Sequence, residues 1–207
     1  MLAYIKGELA QKQIGYIVID VGGLGYKVFM SESAIDELGN IGEQVKVHTY
    51  YKVAEDDISI FGFRTQEELR MFELLISVSG IGAKTAITML NAIEPSQFAI
   101  AVISNDIDTL KRIPGIGAKS AQRIVLELKD KIKKEQQISE LTNASLEQKA
   151  KVKKVIVMDN KVQEAIDALG VLGYTRKDID KALEQIEVQD LTIEEIIKKA
   201  LRESSIR

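Results

Sequence analysis

The 207-residue chain has no cysteine, a single histidine and only two prolines. Without cysteine there is no disulfide, no thiol chemistry and no Cys-built zinc site. With His48 as its one imidazole, the chain lacks the parts for a His-ligated metal centre or a Ser-His-Asp triad, and His48 reads as an ordinary strand residue. No apolar run approaches the length of a membrane span. The opening "MLAYIKGELAQ" has neither the apolar stretch nor the cleavage site of a signal peptide. These absences predict a cytoplasmic protein with no membrane contact, no metal and no cofactor.

What remains is the composition of a globular chain long enough for two or three small domains, 45% hydrophobic and 29% charged. A net charge of −3 and a pI near 5.4 argue against a protein that coats nucleic acid. Phosphates meet patches rather than totals, however. Lys111, Arg112, Lys119, Arg123, Lys129, Lys131, Lys133 and Lys134 crowd one stretch, opposed only by Glu127 and Asp130.

Residues 1–64 read as a small barrel of strands. "GYIVIDV" (15–21) and "GYKVFM" (25–30) flank a glycine-rich connection, and "SESAIDEL" (31–38) reads as a short helix capped by Ser31 or Ser33. "EQVKVHTYYKV" (43–53) and "DISIFGF" (57–63) alternate on either side of an acidic turn, giving a closed or nearly closed barrel. At Thr65 the pattern becomes helical: Thr65 and Glu68 form a capping box, with Leu69, Phe72, Leu75 and Ile76 on one face. Further helices are expected at 83–92, 96–104, 106–112 and 118–134, with Asn105 capping the segment at 106–112. The division this suggests is a barrel at 1–64, a helical domain at 65–142 and a polar, flexible linker at 143–157. A three-helix unit at 158–207 follows, with Thr175 and Thr192 capping its second and third helices.

One stretch is written twice, as "SGIGAKTA" (79–86) and "PGIGAKSA" (114–121), and 35 residues separate Gly80 from Gly115. That interval is the scale of one supersecondary unit. Each copy follows a helix ending in apolar residues (Ile76, Val78; Leu110, Ile113) and precedes one opening with lysine and a small hydroxyl residue (Lys84, Thr85; Lys119, Ser120). The glycines admit positive φ and close approach of a ligand, while the isoleucine between them can plug the space between helices. The N–H groups at the start of the second helix then form an anion site. Lysine adds charge without reading bases, which suits a phosphodiester backbone bound without regard to sequence. Competing phosphate motifs fail: Ala83 stands where a P-loop needs glycine, and Val28 where G-x-G-x-x-G needs its third.

Both copies resemble the helix-hairpin-helix motif, which binds duplex DNA through the phosphates of one strand. The wider pattern is "VGGLGYKV" in the barrel, then "DISIFGF" leading into "QEELRMFELLISVSGIGAKTA", then "LKRIPGIGAKSAQRIVLELKDK". It resembles the RuvA family of bacterial Holliday-junction-binding proteins across the barrel and both hairpins. The resemblance implies an α+β multidomain chain: an OB-fold β-barrel, an all-α tandem helix-hairpin-helix domain, a flexible linker and a three-helix UBA-like domain. It implies a non-catalytic homotetramer, with an octamer left open, that holds four-way junction DNA in an open square for branch migration in recombination and repair. The implied DNA contacts are Gly80, Ile81, Gly82, Lys84 and Thr85 in the first hairpin, and Gly115, Ile116, Gly117, Lys119, Ser120 and Arg123 in the second. Glu55 and Asp56 match acidic residues that the family places at the tetramer centre; Asp57 receives no role. The tail is expected to bind the AAA+ ATPase RuvB, which hydrolyses the ATP, through Leu169, Leu172, Tyr174 and Leu201, although these leucines read equally as bundle core. The resolvase RuvC is a further implied member of the complex.

Two other classes stay open at this point. Repair enzymes of the glycosylase or nuclease type also carry helix-hairpin-helix elements, and Lys119 occupies a position where some lyase-type glycosylases have a catalytic lysine. A single-strand binder would use Tyr4, Tyr16, Tyr26, Tyr50 and Tyr51 of the barrel as stacking surfaces.

Overall fold

The computed structural model describes residues 2–55, 57–143, 160–188 and 191–205. The chain divides into two compact units. One comprises Met1–Ser77, Ile81–Pro95 and Ile113–Gly115; the other comprises Val78–Gly80, Ser96–Arg112 and Ile116–Arg207.

In the first unit, strands β1 (Tyr4–Gln13), β2 (Tyr16–Val21), β3 (Leu24–Phe29), β4 (Gln44–Val53) and β5 (Ile58–Phe63) close into a barrel in the order β1-β2-β3-β5-β4. Alternation puts Ile5, Leu9, Ile17, Ile19, Val28, Val45 and Val47 inside, where they form the core. A register shift between Leu9 and Gln11 bends the ten-residue β1, which pairs with both β2 and β4. The ring closes where β3 meets β5 in parallel at Phe29 and Phe61. Beside that seam a Cβ on Gly62 would lie 2.5 Å from Val28 Cγ1, so no larger residue fits the closure.

Helix α1 (Glu32–Asp36) joins β3 to β4, and the Ser31 hydroxyl caps it by accepting the Ala34 N–H. Helix α2 (Gln66–Ile76) starts at the expected cap, with Thr65 Oγ1 accepting the Glu68 N–H at 3.2 Å. Glu68 Oε2 accepts the Arg64 N–H at 2.8 Å, so a bond returns to the residue before the cap. Burial pushes the Glu68 carboxyl up, opposed by the N–H bond and charge of Arg64. The buried face of α2 runs through Met71, Phe72 and Leu75; Leu69 and Ile76, expected beside them, are half-buried at its margins. Phe72 is fully buried, its ring centroid 4.9 Å from Phe63, 5.2 Å from Tyr50 and 5.3 Å from Phe61. Helix α3 (Ala83–Ala92) completes this unit's helices, and Asn91 Oδ1 accepts the Ser33 N–H at the start of α1.

The second unit contains α4 (Pro95–Ile103), α5 (Ile107–Lys111) and α6 (Ala118–Asn143). Asn105 is not the cap of α5. It takes the left-handed conformation, φ 55°, that ends the preceding segment, and Asp106 caps instead by accepting the Thr109 N–H at 2.9 Å and its hydroxyl at 2.6 Å. Those two bonds hold the Asp106 carboxyl below its ordinary range. Asn105 is engaged from outside, by Lys129 Nζ at 2.8 Å, and the same ammonium donates to the Ile103 carbonyl. Helix α6 runs past the expected end at 134; residues 144–157 of the expected linker lie outside the described residues.

The tail forms α7 (Asn160–Val171), α8 (Arg176–Leu183) and α9 (Ile193–Ser205). Helix α7 ends in a Schellman motif, in which Tyr174 N–H reaches the Leu169 carbonyl and Gly173 N–H that of Gly170. Thr175 caps α8, and Thr192 exchanges both bonds of a capping box with Glu195. Leu169 and Leu172 are buried with Ile166, Ile179, Ile196 and Ile197. Of the two readings of these leucines, their burial matches the bundle core. Three helices this short need those side chains for their own core.

Removing the Phe72 ring leaves a cavity among Tyr50, Phe61 and Phe63 that the closed barrel cannot fill. Phe72→Ala is expected to lower unfolding free energy by about 3 to 5 kcal/mol, measured by denaturant titration. Leu126→Ala, at an exposed position on α6, is the control and should change it by less than about 0.5 kcal/mol. Equal effects would contradict the anchoring role of Phe72.

Candidate nucleic-acid interface

The two repeated stretches fold into twin turns. In the first, α2 ends at its C-cap Ser77, Val78 is buried, Gly80 takes φ 86° and Gly82 is the N-cap of α3. In the second, α5 ends at Arg112, Ile113 is buried, Gly115 takes φ 81° and Gly117 directly precedes α6. The first intrahelical bonds correspond as well: Ala86 N–H to the Gly82 carbonyl at 3.0 Å and Ala121 N–H to that of Gly117 at 2.9 Å.

The glycines of each pair have different reasons. Gly80 and Gly115 are left-handed, a conformation that side chains resist. Gly82 has ordinary extended dihedrals, φ −92° and ψ 170°, and a Cβ on Gly82 or Gly117 would touch nothing within 4 Å. Neither backbone strain nor internal packing requires glycine at 82 or 117. A ligand backbone lying on the turn would.

Ile81 and Ile116, expected among the contact residues, are 7% and 5% exposed. What they supply is the anchoring of each turn. The exposed part is backbone. Gly82 has no side chain to cap α3, so the N–H groups of its first turn have no intrahelical acceptor and point outward with the positive end of the helix dipole. Thr85 is half-buried there, and Ser120 is exposed at the matching position.

Structure also sorts the basic cluster. Lys111 pairs with Asp108 at 2.7 Å, and Lys129 serves Ile103 and Asn105. Arg123 Nη1 donates to the Ser79 carbonyl at 3.2 Å, and its Nε lies 4.0 Å from Glu127 Oε1. Lys84 and Lys119 are exposed, and among the described residues neither ammonium has a hydrogen-bond or ion-pair partner. The side chains of Lys133 and Lys134 lie outside the described residues. Glu127, counted in the sequence only as a charge opposing the cluster, accepts the Ser79 N–H at 3.2 Å. Its four-residue spacing from Arg123 was the available signal.

At the acidic turn, Glu55 is exposed and Asp56 lies outside the described residues. Asp57 now has a local role: it accepts the Ser59 hydroxyl at 2.9 Å, its carboxylate is 3.9 Å from Lys52 Nζ, and its carbonyl accepts the Ala54 N–H. His48 lies on β4 paired with Tyr4 and Phe63; burial and, to a lesser extent, Lys46 push its pKa down. Among the described residues no three His, Asp or Glu side chains gather to hold a metal ion, and no single helix is long and apolar enough to cross a membrane.

Comparison with known proteins gives one answer over the whole chain. Residues 1–62 match the family model for the RuvA N-terminal domain, 72–130 that for a SAM-like helix-hairpin-helix tandem, and 160–205 that for the RuvA C-terminal domain. A protein of Acetivibrio thermocellus described as "Holliday junction branch migration complex subunit RuvA" is 50% identical over 203 residues, covering 98% of each chain. Proteins of the same description from Ruminiclostridium cellulolyticum and Clostridium botulinum are 43% and 41% identical over 202 residues, with 98% of this chain covered in both alignments and 99% and 98% of the relatives.

The two glycine roles separate by stability. Gly80→Ala forces a side chain into the left-handed region and is expected to cost about 1 to 2 kcal/mol. Gly82→Ala, at an extended N-cap with room for the methyl group, should change stability by no more than about 0.5 kcal/mol, the stiffer unfolded chain opposing the poorer cap. Thermal unfolding of the two variants checks the assignment, and a Gly82→Ala as destabilised as Gly80→Ala would refute it.

Proposed function

The chain belongs to the RuvA family, and from that premise we propose that it is a non-catalytic subunit that binds four-way DNA junctions and supports their branch migration. The observation that carries the DNA-binding half is the pair of glycine-opened helix starts, 35 residues apart, each with a lysine beside it that has no partner among the described residues. Each turn takes one stretch of phosphodiester backbone: N–H groups of residues 83–85 and 118–120 cradle phosphate oxygens, while Lys84 and Lys119 neutralise them. Thr85 and Ser120 add hydroxyl donors. No group in this arrangement reads a base, so preference for a junction has to come from assembly geometry.

Family membership supports that geometry: a homotetramer presenting one pair of turns to each of four arms. Glu55 and Asp56, at the tip of the β4–β5 turn, would face the crossover and repel its phosphates, keeping strands apart as they exchange. The barrel and tandem hairpins would work as the DNA-holding part, and the segment at 143–157 as a tether. The three-helix tail would engage the motor RuvB, which supplies ATP hydrolysis, and RuvC would act on the same junction. With Leu169 and Leu172 in the core, half-buried Tyr174 and Leu201 remain as its contact residues. The work would take place in the cytoplasm.

The test is a titration of a four-way junction and a linear duplex of equal length at matched salt. The junction should bind on the order of a hundredfold more tightly, because several linked grips act together. Lys84→Ala and Lys119→Ala should each reduce the salt slope by about 0.9. Gly82→Ala should fold yet bind poorly, since its methyl group occupies the place of the phosphate. Equal affinity for junction and duplex would reject the junction reading and leave a general phosphate binder.

A further inference from the structure

Ser79 enters the first turn, and two side chains of α6 hold both of its backbone groups. Its N–H donates to Glu127 Oε2 at 3.2 Å and its carbonyl accepts from Arg123 Nη1 at 3.2 Å. The same guanidinium lies where a Cβ on Gly80 would meet it at 3.5 Å. Thus a carboxylate and a guanidinium one helical turn apart grip the residue immediately before the left-handed glycine.

Among the described residues the device is present once, and the sequence explains why. The residue matching Ser79 in the second turn is Pro114, which has no N–H to satisfy. The residues of α3 matching Arg123 and Glu127 are Thr88 and Ala92. Thr88 directs its hydroxyl to the Lys84 carbonyl of its own helix, and alanine has no acceptor. The twins therefore differ as a set: serine with a carboxylate to receive it, or proline with none.

An acidic side chain beside a phosphate-binding turn opposes binding by charge alone. The ion pair itself, 4.0 Å apart and with Glu127 33% and Arg123 55% exposed, contributes little stability. What Glu127 does contribute is direction. Resting on the phosphate reading above, we infer that Glu127 is a positioning residue for the first hairpin: by holding the Ser79 N–H it fixes the entry to Gly80 and so the aim of the uncapped N–H groups that follow. Arg123 completes the grip from the carbonyl side.

The experiment is a salt-series titration of a four-way junction with the full chain and its variants, each checked by thermal unfolding. Glu127→Ala is expected to weaken binding about three- to tenfold with an unchanged salt slope. Glu127→Gln keeps an oxygen that can accept the Ser79 N–H and should recover most of that loss. On a Ser79→Pro background there is no donor, so Glu127→Ala should add nothing. Tighter binding by both Glu127 variants would show that the residue acts only through its charge and would overturn the inference. So would equal losses in Glu127→Ala and Glu127→Gln, the second being isosteric and folded. Lys119→Ala serves as the separate control: if it changes neither affinity nor slope, the phosphate reading itself has failed, and this inference falls with it.

Discussion

Burial of two isoleucines, Ile81 and Ile116, is the constraint from which the exposed chemistry of the hairpins follows. To put a β-branched side chain inside a two-glycine turn, the chain must reverse direction immediately before it. The left-handed Gly80 and Gly115 supply that reversal. Reversal in turn brings the next residue, Gly82 or Gly117, to the start of a helix with its backbone outward. A serine or aspartate there would satisfy the first N–H groups and close the anion site. Glycine leaves it open. The apolar anchor and the polar surface are thus two sides of one short sequence.

The approach to the first hairpin also needs something firm beneath it, and for α2 that is the barrel of its own unit. Helix α2, which leads into that hairpin, is fixed by Phe72 among three aromatic rings from β4 and β5. Tilted ring contacts of this kind add to area burial and restrict rotation of the helix about its axis. Arg64 strengthens the junction between strand and helix, pairing with Glu37 beyond α1 as well as with Glu68. A helix held at this end delivers its C-terminus to a defined place, which a phosphate-binding turn requires.

Much of this was legible in the sequence because it is local. A capping box, a glycine pair before a helix and alternation in a strand are decided by neighbours within four residues. Thr65, Thr175, Thr192 and both hairpins could therefore be located without coordinates. What could not be decided from the sequence shares the opposite cause. Asn105 and Asp106 are both good caps; Asp106 takes the role, while Asn105 is left-handed and engaged by Lys129, 24 residues away. Leu169 and Leu172 carry no mark that distinguishes a core leucine from a contact leucine; only the packing of α7 against its neighbours decides. Arg123, an expected DNA contact, shows its bond to the Ser79 carbonyl only in the fold. In each case the deciding partner is distant in the chain.

The same sorting explains how a chain with net charge −3 can present sites for phosphate. Of the six cations of the basic stretch whose side chains are described, three are tied to internal acceptors: Lys111 to Asp108, Arg123 to Ser79 and Glu127, Lys129 to the Ile103 carbonyl and Asn105. They stabilise the helices that aim the turns and leave the direct contact to backbone N–H groups and two lysines. Backbone donors carry no formal charge, so they add nothing to the total and do not attract phosphate at long range. They act only when a phosphate arrives at the right distance and angle. A site built this way is weak singly and strongly dependent on geometry. That is the physical condition under which the arrangement of several copies, rather than the charge of any one, can decide which DNA shape is held.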